Sequence, residues 1–198
     1  MHIDIITLFP GLFDGFLNDA VIKRAIGKGV LQVKVHNLRD WTSDRHQTVD
    51  DYPFGGGAGM VLKPEPVFAA YRDLLAGRAR KPLSVYFTPS GELLQQEMVQ
   101  QFMQEEELIF LCGRYKGVDQ RILDAHVDRL VSIGDYVLSG GELPAMALLE
   151  AMTRLIPGVL NDIESALTDS HQTNLLEGPL YTRPEDFEGR QVPEVLLS

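Results

Sequence analysis

The stretch Ser132-Ile-Gly-Asp-Tyr-Val-Leu-Ser-Gly-Gly-Glu-Leu-Pro-Ala145 joins a β-branched and aromatic segment to a helical one through two glycines. The composition of residues 131–137 predicts a strand, and Pro144 suits the first turn of a helix. Gly140 and Gly141 carry no side chains where the chain must bend, so a flat ligand could press against bare backbone. Taken alone, the glycine pair is more typical of an ordinary tight turn than of a ligand-binding loop.

Strand and helix patterns alternate on both sides of this stretch. The predicted strands cover residues 2–9, 30–35, 83–87, 108–112 and 131–137, and the predicted helices cover 18–28, 64–76, 92–104, 118–125 and 143–156. Such alternation predicts an α/β domain with a mainly parallel sheet flanked by helices.

Three of the predicted strands end in turn-rich segments, at 88–91, 113–117 and 138–141. In open α/β sheets, ligands bind outside the carboxyl ends of the strands. The three segments are therefore expected to meet around one ligand pocket.

A long polar loop, residues 39–59, interrupts the alternation and ends in the cluster Phe54-Gly-Gly-Gly-Ala-Gly59. The cluster does not match the G-x-G-x-x-G dinucleotide pattern, and no strand leads directly into it. Its backbone N–H groups could face phosphate, or the glycines could simply make the loop flexible; both interpretations stay open.

Composition narrows the possible functions. The net charge of −10 argues against indiscriminate binding to nucleic acid, although residues 71–81 are either a local basic patch or a solvated helix end. No signal-like start and no apolar run of about 20 residues is present, so we expect a soluble protein. Cys112, the single cysteine, indicates a reducing cytoplasm, and no His or Cys spacing indicates a metal site.

Four separated motifs are similar to those of the bacterial tRNA (guanine-N1)-methyltransferase family. They are Val49-Asp-Asp-x-Pro-x-Gly-Gly-Gly-x-Gly-Met60, Cys112-Gly-Arg-Tyr-x-Gly117, Ile133-Gly-Asp-Tyr-Val-Leu-Ser-Gly-Gly-Glu-Leu-Pro-Ala145 and Tyr181-Thr-Arg-Pro184. They occur in the family's order, and the resemblance spans residues 1–198. It implies a SPOUT-class trefoil-knotted fold and a homodimer. It also implies methyl transfer from S-adenosylmethionine to N1 of guanosine at tRNA position 37, next to the anticodon.

The resemblance also suggests a division of the chain. Residues 1–160 would form the knotted domain that binds S-adenosylmethionine, and 161–177 would be an interdomain linker. Residues 178–198 would begin a carboxyl-terminal tRNA-binding domain, which we expect to be truncated.

By the same resemblance, residues of the three strand-end loops and the helix after them would line the cofactor site: Tyr86, Phe87, Pro89, Gly113, Tyr115, Lys116, Ile133, Tyr136, Leu138, Gly140, Gly141 and Pro144. Phe87 replaces a common Leu, and in the linker His171 replaces Phe and Glu177 replaces Asp. Lys116 stands where the family usually has Glu. A carboxylate there could favour the sulfonium or help hold Mg²⁺, a further candidate cofactor, whereas an ammonium would repel either.

The chemistry requires a base that removes the guanine N1 proton and a cation that stabilises charge developing on O6. By resemblance these would be Asp169 and Arg154. Without the motif context, a linker Asp is more typical of a cap, and an Arg near a helix end of a dipole contact. The resemblance places tRNA contacts at Asp50 and at the cluster glycines Gly55, Gly56, Gly57 and Gly59.

Two other functions compete with the methyltransferase hypothesis. A non-catalytic RNA-binding dimer of the same fold would bind cofactor without transferring methyl groups, and Lys116 makes it conceivable. A nucleotide-dependent oxidoreductase would need a G-x-G-x-x-G or P-loop pattern, which the sequence lacks.

Overall fold

The computed structural model describes residues 1–18, 20–160 and 178–197. Its strands are β1 (His2–Thr7), β2 (Gln32–Asn37), β3 (Asp50–Asp51), β4 (Val61–Leu62), β5 (Leu83–Leu93), β6 (Glu107–Leu111), β7 (Arg129–Ser132), β8 (Asp186–Phe187) and β9 (Arg190–Gln191). Its helices are α1 (Phe13–Leu17), α2 (Ala20–Gly27), α3 (Pro64–Leu75), α4 (Gln96–Phe102), α5 (Gln120–His126) and α6 (Glu142–Leu155). Short 3-10 turns cover Pro10–Leu12, Leu38–Trp41 and Glu194–Leu196.

Five strands form one parallel sheet in the order β2-β1-β6-β5-β7. Strand β6 lies at its centre, and Leu108, Ile109, Phe110 and Leu111 are fully buried, as expected for a strand covered on both faces. All five carboxyl ends therefore lie at one edge. The predicted α/β fold class, a mainly parallel sheet flanked by helices, is confirmed.

Helices cover both faces of the sheet. On one face Ile3 and Ile5 of β1 belong to a core shared with α1, α2, α4 and α6. On the other face Ile6 belongs to a core shared with α3 and α5, where Tyr71 is the largest fully buried side chain. The alternation of side chains along a strand divides β1 between these two cores.

Several predicted boundaries are wrong. Asn18 does not begin a helix but caps the carboxyl end of α1. Its backbone N–H donates to the Gly15 carbonyl, and its side-chain amide donates to the Asp14 carbonyl at 2.8 Å. The strand predicted for 131–137 ends at Ser132, because the chain turns at Gly134, where φ is +153°. Beyond Phe87, β5 bulges and continues to Leu93, and this extra length displaces the start of α4 from 92 to Gln96.

Residues 178–197 contain the β8–β9 hairpin and a final 3-10 turn, and nearly all of their side chains are exposed. Their assignment to a second domain remains a prediction, and the predicted linker 161–177 lies outside the described residues. Within the described ranges, no helix combines the length and apolar character needed to cross a bilayer.

Candidate active site

A cavity of about 300 Å³ opens at the carboxyl ends of β5, β6 and β7. Its wall is built from the three loops that follow these strands and from the first turn of α6. The lining residues are Tyr86, Phe87, Thr88, Pro89, Gly113, Arg114, Tyr115, Lys116, Gly117, Val131, Ser132, Ile133, Gly134, Tyr136, Val137, Leu138, Ser139, Gly140, Gly141 and Pro144. The volume is at the lower end of the range of small-molecule sites.

All twelve residues predicted to bind the cofactor line this one cavity. The structure therefore brings together three loops that the sequence could only place at the ends of separate strands. Their role in binding remains a prediction. Arg114, Val137 and Ser139 also line the cavity and were not predicted from the sequence.

The glycines permit close contact between two of the loops. A Cβ on Gly141 would lie 2.9 Å from the Cα atom of Cys112, and one on Gly113 would lie 2.6 Å from the Tyr86 hydroxyl. The Gly141 N–H donates to the Gly113 carbonyl at 3.0 Å. Backbone of the β7–α6 loop thus packs directly on backbone of the loop after β6, and no side chain separates them.

A cluster of polar and charged side chains, Thr7, Arg114 and Glu142, connects the same loops. Glu142 accepts a hydrogen bond from the Thr7 hydroxyl at 2.7 Å and one from Arg114 Nε at 3.2 Å. The Arg114 guanidinium also lies over the Phe9 ring, 4.2 Å from its centroid. The cluster links the end of β1 to both glycine loops. The sequence signal for it is an acidic residue directly after Gly140-Gly141 and a basic one directly after Gly113.

Tyr115 connects the cavity wall to the polar loop before β4. Its backbone has φ +59°, and its hydroxyl lies near the side chains of Asp50 and Arg39. Partial burial and the neighbouring Asp50 carboxylate raise the pKa of the Tyr115 hydroxyl, so it stays protonated at neutral pH. Asp50, a predicted RNA contact, therefore lies near a residue of the cavity wall.

Two other groups near the cavity have raised pKa values. Burial raises the pKa of the Tyr86 hydroxyl, and burial together with the Glu142 carboxylate raises the pKa of the Cys112 thiol. Cys112 is therefore a protonated thiol enclosed in the core, which is unsuited to nucleophilic chemistry.

Of the two predicted catalytic residues, only Arg154 has a described position, and it does not line this cavity. Arg154 is in the last turn of α6, about 15 Å along the helix from Pro144 at a rise of about 1.5 Å per residue. Asp169, with His171 and Glu177, lies outside the described residues. Their catalytic roles remain predictions.

The cluster glycines Gly55, Gly56, Gly57 and Gly59 are exposed and all have positive φ angles, between +80° and +108°. Hydrogen bonds tie the segment after them to the cavity wall: Lys116 N–H donates to the Met60 carbonyl, and Leu62 N–H donates to the Gly117 carbonyl. The predicted RNA-contacting loop therefore borders the cavity.

Metal binding receives no support from the residues with described positions, among which no group of three or more His, Cys, Asp or Glu side chains could hold an ion. The cavity lining contains the cations Arg114 and Lys116 and no carboxylate. Since Mg²⁺ requires oxygen ligands and favours carboxylates, this wall does not fit Mg²⁺.

The parallel sheet and the cavity at the carboxyl ends of its strands are typical of the class of α/β proteins that hold a small molecule at this edge of the sheet. The profile of the family described as tRNA (Guanine-1)-methyltransferase TrmD matches residues 1–198. The chain belongs to this family, as the sequence motifs predicted.

Individual members of the family are similar to this protein over its whole length. It is 53% identical to the tRNA (guanine-N(1)-)-methyltransferase of Flavobacterium psychrophilum, over all of this chain and 88% of the relative. It is 49% identical to the protein of the same name from Clostridioides difficile, covering 86% of that relative. The crystal structure of tRNA (m1G37) methyltransferase from Aquifex aeolicus superposes with a TM-score of 0.84 at 38% identity, covering 100% of this chain and 83% of that one.

Proposed function

We propose that this protein transfers the methyl group of S-adenosylmethionine to N1 of guanosine at position 37 of tRNA. The observation that carries the proposal is the meeting of all twelve predicted cofactor residues around one cavity. Relatives at 49–53% identity over the full chain carry the methyltransferase name, which favours this function over a non-catalytic dimer of the same fold.

The cavity suits S-adenosylmethionine in shape and chemistry. Gly113 and Gly141 line the cavity with bare backbone, and they allow the two loops that carry them to pack closely together. Peptide groups of the loops around Gly140 can hydrogen-bond an adenine edge, and Tyr86 and Pro144 supply apolar surface. When bound there, the cofactor supplies an electrophilic methyl group.

The protein's own part in the reaction is to position guanine and to move a proton. Asp169 would accept the proton from guanine N1, and Arg154 would donate hydrogen bonds to O6 as negative charge develops on it. Both roles come from the family resemblance. Water must be excluded from the slot so that the methyl group meets N1 rather than solvent.

The position of Arg154 supports a site shared between two subunits. A residue about 15 Å along α6 from the cavity rim is too remote to contact a base in its own cavity. In a homodimer with two-fold symmetry, the last turn of α6 in one subunit can approach the cavity of the other. We therefore propose a homodimer in which Arg154 and Asp169 act on guanosine bound at the partner's cavity.

We propose that this reaction takes place in the cytoplasm, because its substrate, tRNA, is found there. The enclosed, protonated thiol of Cys112 agrees with a reducing compartment.

The test is methyl transfer from radiolabelled S-adenosylmethionine to a tRNA transcript carrying guanosine at position 37. We expect incorporation with that transcript and none when position 37 is adenosine, and nuclease digestion should release 1-methylguanosine. Cofactor binding by calorimetry without any incorporation would contradict the proposal and favour the non-catalytic dimer.

A further inference from the structure

The side chain of Lys116 crosses the exposed glycine cluster. A Cβ on Gly59 would lie 3.1 Å from both Cγ and Cε of this lysine, and 3.2 Å from its Cδ. A Cβ on Gly57 would lie 3.9 Å from its Nζ. The methylene stem of Lys116 therefore packs on the backbone at Gly59, and its ammonium group ends beside Gly57.

The main chain, rather than a counter-ion, holds Lys116 in this position. Its N–H donates to the Met60 carbonyl at 3.0 Å, and the neighbouring Gly117 carbonyl accepts from Leu62 N–H at 3.0 Å. Across the described ranges, Lys116 forms no ion pair, although Arg114 two residues earlier is paired with Glu142. An exposed ammonium held in place without a carboxylate is available to an anion from outside.

The glycine cluster supplies hydrogen-bond donors at the same place. In the part of the chain that the structure describes, the N–H groups of Gly55, Gly57 and Gly59 donate to no protein acceptor. Their positive φ angles place these N–H groups in a turn-like backbone, and such backbone can form concave anion sites. Donors and ammonium together form a cationic surface suited to an oxyanion.

The nearby carboxylates do not cancel this surface. The Asp50 carboxylate lies near the Tyr115 hydroxyl, and an oxygen of Asp51 accepts the N–H of Tyr52 at 2.8 Å. Both carboxylates lie before the cluster in sequence, whereas Lys116 reaches it from the cavity side. Because the protein has a net charge of −10, it repels anions overall, and a local unpaired cation is needed to attract one.

Two aromatic side chains identify the kind of anion. Phe54 is fully exposed and Tyr52 is largely exposed, and both immediately precede the glycines. Exposed aromatic faces beside a cationic surface are typical of sites for unpaired nucleic acid, where bases stack and the protein contacts the backbone. A duplex would leave these rings without a base to stack on.

We propose that Lys116, with the N–H groups of Gly55, Gly57 and Gly59, binds a backbone phosphate of an unpaired segment of the substrate RNA. The inference rests on the proposed tRNA methyltransferase function and adds a phosphate contact that borders the cofactor cavity. In this arrangement Lys116 serves the RNA, and its charge points along the glycine cluster rather than at the sulfonium.

The test measures the salt dependence of tRNA binding by Lys116→Gln, by fluorescence anisotropy with a labelled tRNA transcript between about 50 and 200 mM salt. For one lost contact to a single strand, log Kobs against log salt should become less steep by about 0.7. Lys116→Arg should keep the original slope. Lys34→Gln, which removes an equal charge from β2, is the matched control and should also keep it.

Each outcome bears on the inference. An unchanged slope for Lys116→Gln, with weaker S-adenosylmethionine binding by calorimetry, would show that the lysine holds the cofactor carboxylate and would overturn the inference alone. If the unsubstituted protein bound tRNA no better than a duplex RNA of equal charge, the inference would fail together with the proposed function. The inference is supported if Lys116→Gln lowers the salt slope for tRNA binding and leaves the salt slope for duplex binding unchanged.

Discussion

The Arg114 guanidinium and the Glu142 carboxylate form an ion pair in which Nη2 lies 3.0 Å from Oε2. The Glu142 side chain is only 2% exposed, so its charge depends on this partner and on the Thr7 hydroxyl. The pair joins the first turn of α6 to the loop after β6, and both elements line the cavity.

Replacing one partner of this pair should destabilise the protein strongly. We expect Arg114→Met to lower the free energy of unfolding by about 3–5 kcal/mol, because Glu142 is left buried without a counter-charge. Adding Glu142→Gln to that variant removes the stranded charge and should restore part of the loss. Urea denaturation of the two single variants and the double variant measures both effects, and additive losses would show that the two groups are not coupled.

Replacing the cavity-lining glycines with alanine should weaken S-adenosylmethionine binding to different extents. Gly141→Ala meets the backbone of Cys112 and should weaken S-adenosylmethionine binding most, whereas Gly113→Ala meets the end of the Tyr86 side chain and should weaken it less. Gly27→Ala, at the end of α2 where a Cβ meets nothing within 4 Å, is the control and should leave binding unaltered. Calorimetry with thermal melts measures all three; equal affinities would contradict the arrangement of the walls.

Removing the predicted base should separate chemistry from cofactor binding. We expect Asp169→Ala to lower the rate of methyl transfer by at least about 100-fold, since the N1 proton then has no acceptor. The dissociation constant for S-adenosylmethionine should change little. Single-turnover kinetics and calorimetry test this, and a parallel loss of both quantities would refute the assignment of Asp169 as the base.

A site shared between subunits predicts complementation. Arg154→Ala and Gly113→Ala should each impair methyl transfer alone, but a mixed dimer contains one site with neither defect. Co-refolded or co-expressed variants should therefore recover about a quarter of the sites of the unsubstituted protein when subunits mix randomly. Activity no higher than the average of the two variants would place Arg154 at its own subunit's cavity.

Stability should depend on pH through His126. Its ring stacks on Tyr71 at 4.4 Å, and burial, with Lys81 nearby, lowers its pKa. The unfolded chain then binds the proton more tightly, so the stabilisation from neutral His126 is complete above the ordinary His pKa of about 6.5. That stabilisation is lost as pH falls through the lower folded-state value.

His126→Phe should therefore lose less stability than the unsubstituted protein between about pH 7.5 and 5.5, as measured by urea denaturation. A residual slope from His2 is expected, because burial also lowers the pKa of that residue. Identical pH dependence in the two proteins would show that His126 does not titrate differently on folding.

The positions of strands were predicted well where the local sequence itself is typical of a strand. The apolar run of β6 marks a strand buried on both faces, and β5 and β6 begin within a residue of their predicted positions. The prediction failed at the end of β7, where β-branched and aromatic residues continue past Ser132. There the Tyr136 hydroxyl instead bonds the Ile133 carbonyl, an arrangement that strand propensity does not encode.

The cavity was predictable as a meeting of loops, but its supporting charges were not. Thr7 and Glu142 are distant in sequence, and Glu142 at the start of a helix is ordinarily a solvated residue favoured by the helix dipole. Its burial follows from β1 lying beside β6 in the sheet, which no local pattern specifies. The same holds for the position of Lys116 across Gly59, which depends on the pairing of two loops.

The strand order also determines when this protein can complete its sheet during synthesis. Strand β1 pairs with β2 early in the chain, but its other neighbour is β6, with His2 opposite Glu107. The ribosome adds about 70 residues between the end of β2 and the start of β6, which takes roughly 4–14 s at cellular rates. For that interval one edge of β1, with Ile3 and Ile5, is an open template for other chains. We therefore expect the emerging polypeptide to be most prone to pairing with other chains before β6 covers this edge of β1.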